Sequence, residues 1–220
     1  MKLVADKIEE IRRINSEYDL KDIFNMARLY WSRAPVRGLA KGSRHGVKMD
    51  KRATTYALTF NADGSEKLKP YVIDTAGCAR AFSRTAEGKA SFATYQYDSN
   101  DTAWMNTGSF MKFAAMNGWL HRFDESMEGR KVLLWVDNAP LHLKHHQLPE
   151  SRLRNTRVEY LPPNTTSVLQ PLDAGAMSQF RAAYKRQHLA LVVAREGGAK
   201  SPYIIDQREG MEIARSVKAP

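Results

Sequence analysis

Apolar residues along the chain switch between helical and strand spacing, and the switches mark out its elements. Ile8, Ile11 and Ile14 recur at helical spacing and predict a short charged helix over residues 5–17. A strand-like DIFNM (22–26) follows. Beyond a basic stretch, TTYALTFN (54–61) reads as a strand, Asp63-Gly64 as a turn, and LKPYVID (68–74) as its returning partner. Residues 107–126 place Phe110, Phe113, Ala114, Leu120 and Phe123 on one helical stripe. KVLLWVD (131–137) is apolar on both faces, as a central sheet strand should be. VEYL (158–161) is another strand, stopped by Pro162-Pro163. A long helix is predicted from near Pro171 to about Arg195, before Gly197-Gly198, with Met177, Phe180 and Tyr184 on one face. Strands first and helices interleaved later predict one mixed α/β domain, with no internal repeat, low-complexity tract or linker.

Composition narrows this picture. The 220 residues are 43% hydrophobic, with 4 Trp, 9 Tyr and 8 Phe, enough to bury a substantial core. No run approaches the ~20 apolar residues of a membrane helix, and the charged start lacks a signal-peptide core. Cys78 stands alone, which excludes an internal disulfide framework and a cysteine-rich zinc site. An intracellular, soluble protein is expected, so the sequons at Asn100 and Asn164 are read as coincidental.

Charge adds a candidate partner. The formal net charge is +10, and more than half of it falls in residues 33–52. There Arg33, Arg37, Lys41, Arg44, Lys48, Lys51 and Arg52 face one acid, Asp50. Gly38, Gly42 and Gly46 would let backbone N–H groups approach phosphates. Composition alone leaves two readings open, a solvated loop or a contact to nucleic acid.

Two carboxylates complete the candidate chemistry. Asp137 follows an apolar strand, and Asp173 lies in the predicted first turn of the long helix, on its Met177–Phe180–Tyr184 face. Singly, Asp137 is a strand-end turn residue and Asp173 a helix-dipole acid. Together, at a sheet edge beside a basic loop, they suit divalent-metal phosphodiester chemistry.

LLWVDNAPLH and VEYLPPNTTSVLQPLDAGAMSQFRAAYKR closely resemble the pogo/Tigger-like DDE transposases, whose relatives include centromere-binding protein B. The likeness extends through SRAPVRGLAKG (32–42), NADGSEKLKPYVI (61–73) and AWM (103–105), and covers most of residues 15–190. It implies an RNase H-like α/β fold with helices flanking a mixed sheet. It also implies a DNA partner, a nuclear setting and a Mg²⁺- or Mn²⁺-dependent DNA cleavage and strand-transfer reaction. Asp137 and Asp173 take the places of the second and third metal-binding acids. The implied organisation is a helical lead-in at 1–22, a DDE-type core at 23–196 and a shortened C-terminal helical segment at 197–220, without the family's upstream helix-turn-helix.

The first acid is missing. Where the family continues Met-Asp-Glu-Thr-Gly-Leu-Phe-Trp, this chain reads Met26-Ala27-Arg28-Leu29-Tyr30-Trp31, two residues shorter. In RNase H-like sites that aspartate bridges both metals, and Arg28, if turned toward the site, would repel them further. Asp22, five residues earlier, is expected to be an exposed strand-start residue more than ~10 Å out of place. The expected function is therefore a transposase-derived nucleic-acid-binding domain without catalysis. An active metal-dependent endonuclease or strand-transfer enzyme is the alternative, should another acid replace the lost one or the shortening be a gene-model error. His142, His145 and His146 are expected on a solvated helix start rather than a metal, and Trp104 and Trp119 in the core.

Overall fold

The computed structural model describes residues 2–32, 53–78, 80–114, 118–137, 153–162, 175, 177–195 and 205–217. The basic run Arg33–Arg52, the His142–His146 cluster, Pro163, Pro171, Asp173 and the Phe110 side chain lie outside the described residues.

A six-stranded mixed sheet forms the centre, in the order β4-β3-β2-β1-β5-β6. The strands are β1 (Ile23–Ser32), β2 (Ala53–Asn61), β3 (Tyr71–Asp74), β4 (Gln96–Ser99), β5 (Val132–Val136) and β6 (Thr156–Tyr160). β1, β2 and β3 form an antiparallel meander. β5 joins β1 in parallel and β6 joins β5 in parallel. This α/β arrangement is RNase H-like. β5 is buried along its whole length, as its two-faced apolar pattern requires. The turn into β3 is made at Gly64, whose φ of +76° a side chain would strain.

Helices cover both faces. On one, α4 (Thr107–Ala114) and α5 (Trp119–Ser126) bring Phe113, Trp119, Leu120 and Phe123 onto Phe24, Met26, Leu134 and Val136. Phe113, Trp119 and Phe123 form a continuous stack, with centroids 4.8 and 5.2 Å apart. The opposite face carries α6 (Met177–Ala194) and α7 (Gln207–Ser216), whose Phe180, Tyr184, Met211 and Ala214 pack on Ala27, Leu29, Tyr56 and Leu58. α1 (Lys2–Asn15) extends that layer, setting Ile14 against Ile23, Leu133 and Trp135. The first and last helices therefore share cores with the sheet.

Several expectations need correction. The stripe predicted as one helix over 107–126 is divided between α4 and α5, because Gly118 is extended (ψ 179°) and serves as the N-cap of α5. The stripe's packing survives because Phe113, Ala114, Leu120 and Phe123 still reach one cluster. β1 runs six residues beyond Met26. Its nine register pairs with β2 hold the strand where Arg28 and Tyr30 interrupt the apolar pattern. β4 and the short helices α2 (Arg80–Ser83) and α3 (Ala86–Phe92) had no expected counterpart, whereas α7 falls in the helical segment expected at 197–220. For α7 a signal was present: Asp206 and Glu209 form a reciprocal capping box.

Candidate functional site

Asp137 stands where the sequence places it, at the end of the central strand β5. Parallel pairing sets Met26 opposite Val136, so one step further Asp137 is level with Ala27. Ala27 is the residue that follows Met26, where the resemblance expects the first acid. It is only 1% exposed and packs its methyl into the core shared with α6 and α7.

The next residue, Arg28, fills the space with the opposite charge. Its Nη2 donates to Asp137 Oδ2 at 2.7 Å and its Nε donates to the same oxygen at 3.2 Å. The two side chains are 17% and 14% exposed, so the pair is shielded from water and salt. Charge-assisted bonds of this length are among the stronger polar contacts in proteins.

The other acids near strand ends do not complete a metal site with Asp137. Asp22 lies at the far end of β1, in a 3₁₀ turn (Leu20–Asp22) level with the start of β5. Contrary to expectation it is not exposed. Its carboxylate is 14% exposed and ion-paired to Arg130 Nε at 2.9 Å, while Arg130 Nη1 holds Glu66 at 2.5 Å. The expected misplacement stands, since five residues of strand span ~16 Å.

Asp74, absent from the expected acids, ends β3 at the same edge of the sheet as Asp137. It is completely buried, accepting the Thr54 hydroxyl and, at 2.6 Å, the Thr75 backbone N–H. The signal for it was visible: YVID repeats the pattern of LLWVD, an acid closing an apolar strand. Register places Asp74 beside Thr54, level with Trp31, three strands across and four residues along from Asp137. That is a separation of roughly 20 Å, too far to share an ion. Among the described residues, no three His, Cys, Asp or Glu side chains cluster as a metal site would require. The described donor set does not fit a divalent ion.

Trp119 is buried, as expected, but Trp104 is 53% exposed and stacks on Tyr30. The expected core position of Trp104 is thus corrected, and the alternation in the short segment is the reason. Ala103 and Met105 go inward, each 1% exposed, and Trp104 between them goes out.

A family model described as DDE superfamily endonuclease matches residues 51–212. The chain is 34% identical over 189 residues to CENP-B homolog protein 2 of Schizosaccharomyces pombe, covering 84% of this chain and 35% of that protein. It is 29% identical over 203 residues to ARS-binding protein 1 of the same yeast, covering 90% and 38%. Against Tigger transposable element-derived protein 4 of Mus musculus the identity is 29% over 177 residues, covering 77% and 31%. The chain thus spans about a third of the length of these relatives. Among solved structures, the Mos1 transposase paired-end complex with left transposon end aligns over 95% of this chain and 57% of that one, with a TM-score of 0.49 and 11% identity.

Proposed function

This chain belongs to the DDE superfamily endonuclease family, and from that premise we propose that it is a transposase-derived nucleic-acid-binding domain that does not cleave DNA. One observation carries the loss of cleavage: Arg28 occupies Asp137, on a strand that has no acid between Met26 and Trp31. Two-metal catalysis needs anionic ligands bridging ions ~3.5–4 Å apart. Here the bridging acid is replaced by Ala27, and the neighbouring position supplies a cation. At an effective dielectric of 20, unit charges 4 Å apart interact by about 4 kcal/mol. A divalent ion arriving at Asp137 would meet about twice that repulsion from Arg28, or would have to displace it from a shielded pair.

Asp137 and Asp173 are the remaining members of the family's acid set, and any Mg²⁺ or Mn²⁺ would be held weakly by them. The reading of DNA as partner, and of a nuclear setting, rests on family membership and on a net charge of +10. The basic residues Arg33, Arg37, Lys41, Arg44, Lys48, Lys51 and Arg52 are assigned to phosphate contact by their charge.

The test is nicking of supercoiled plasmid by the purified chain with Mg²⁺ or Mn²⁺, beside an Asp137→Ala control. No nicking above background is expected from either protein. Metal-dependent nicking that vanishes in Asp137→Ala would overturn the proposal and restore the reading as an active endonuclease.

A further inference from the structure

Tyr30 and Trp104 form an exposed aromatic stack that the fold holds open. The ring centroids are 4.4 Å apart at an interplanar angle of 17°, and the two residues are 42% and 53% exposed. Exposing two large rings beside each other forgoes burial that the core could have used. The backbone at Trp104 is built rather than frayed. Ala103 has φ +55°, a left-handed conformation that costs an alanine energy and persists only where neighbours enforce it.

Those neighbours are identifiable. The Thr55 hydroxyl donates to the Ala103 carbonyl at 2.6 Å, and Thr55 is the register partner of Tyr30. Asn100 Nδ2 donates to the Trp104 carbonyl at 2.6 Å and to Ser109 Oγ at 2.8 Å. Ala103 and Met105 anchor the segment from either side in the core. The strained turn thus fixes the indole against Tyr30.

The position of the stack indicates what it meets. Tyr30 follows Arg28 by two residues on β1, so both side chains leave the same face of the sheet, ~7 Å apart along the strand. The platform therefore adjoins the Arg28–Asp137 pair, and the run of seven basic residues begins three positions after Tyr30. In a chain of net charge +10, an exposed flat aromatic surface completes the combination that binds unpaired nucleotides, in which cations hold the backbone and rings stack the base.

We propose that Tyr30 and Trp104 are a stacking platform for an unpaired DNA base. The proposal rests on the nucleic-acid-binding reading above and deepens it. It gives this end of the sheet a preference for single-stranded or frayed DNA, a preference that phosphate contacts alone do not create.

Anisotropy titrations of the full chain with labelled oligothymidylate and with a blunt duplex of equal length test it, at one fixed salt concentration. Trp104→Ala and Tyr30→Ala should each weaken oligothymidylate binding about tenfold, the effect of losing one base–aromatic stack, and change duplex binding less than twofold. Trp104→Phe, which keeps a π-face, should retain most of the affinity. Equal losses on both DNAs, no loss on either, or a Phe variant as weak as the Ala variant would each overturn the platform. Duplex binding by the unaltered chain without oligothymidylate binding would overturn the platform and leave the DNA-binding reading standing. Binding of neither DNA would overturn both.

Discussion

Asp124 shows how much one side chain can hold. It sits in α5, 2% exposed, and accepts three backbone N–H groups from the segment entering β6: Arg154 at 3.0 Å, Asn155 at 2.8 Å and Thr156 at 2.7 Å. Burial by itself would raise its carboxyl pKa, but these backbone donors outweigh it and hold the pKa below the ordinary 3.8. A depressed folded-state value contributes stability that is fully present above the unfolded pKa. That stability is lost as pH falls through the folded value. Denaturant melts should therefore show a loss beginning below about pH 4. Asp124→Asn, with one acceptor oxygen in place of two, should cost on the order of 1–3 kcal/mol at pH 7 by leaving buried donors unmet. The gap from the native chain should narrow at pH 3; an unchanged gap would show that the charge of Asp124 contributes nothing. Arg28 and Asp137 show the same at a strand end: one guanidinium, bonded to the carboxylate at 2.7 Å, offsets its charge.

At the scale of elements, β1 runs unbroken through the point where the family resemblance expects two more residues. Side chains alternate with a period of two, so losing two residues preserves which face each later residue takes, whereas losing one would exchange the faces. The unbroken register with β2 from Phe24 to Ser32 agrees with this. The helix α6 is held by a stripe of Met177, Phe180, Tyr184, His188 and Val192, all buried at helical spacing. Phe180 lies against Tyr56 of β2, with centroids 6.1 Å apart. Phe180→Ala should destabilise the fold by about 3–5 kcal/mol, the range for truncating a core aromatic. A loss under about 1 kcal/mol in urea melts would mean that α6 contributes little to the packing of this face.

For the whole molecule, the net charge of +10 predicts an association with duplex DNA that weakens steeply with salt. If a few lysines and arginines of the 33–52 run each neutralise a phosphate, affinity should fall at least about tenfold between 50 and 200 mM salt. Changing Arg37, Lys41 and Arg44 together to Ala should flatten that slope by about two to three units. Salt-independent binding, or an unchanged slope in the triple variant, would remove the basic run from the interface. Among the described residues, no helix is long and apolar enough to cross a membrane.

Most of the sheet could be read from the chain because each strand's own alternation, or lack of it, reports its burial. β5 declared itself central, and Asp137 its end. β4 could not be read so: its four residues QYDS are all partly buried, with no apolar run to mark them, and the strand exists by pairing with β3. The aromatic pair was hidden for a related reason, because Trp104 has no periodic neighbours to fix its direction. The basic run, the family motifs and the missing acid after Met26 are properties of the chain, set by residue identity and order alone. What Arg28 touches is a property of the fold. It depends on β1 lying parallel to β5 in one register, which joins residues 109 positions apart. Sequence supplies the charges, but only tertiary pairing sets the few ångströms between them, and Coulomb attraction and hydrogen bonding depend on those distances.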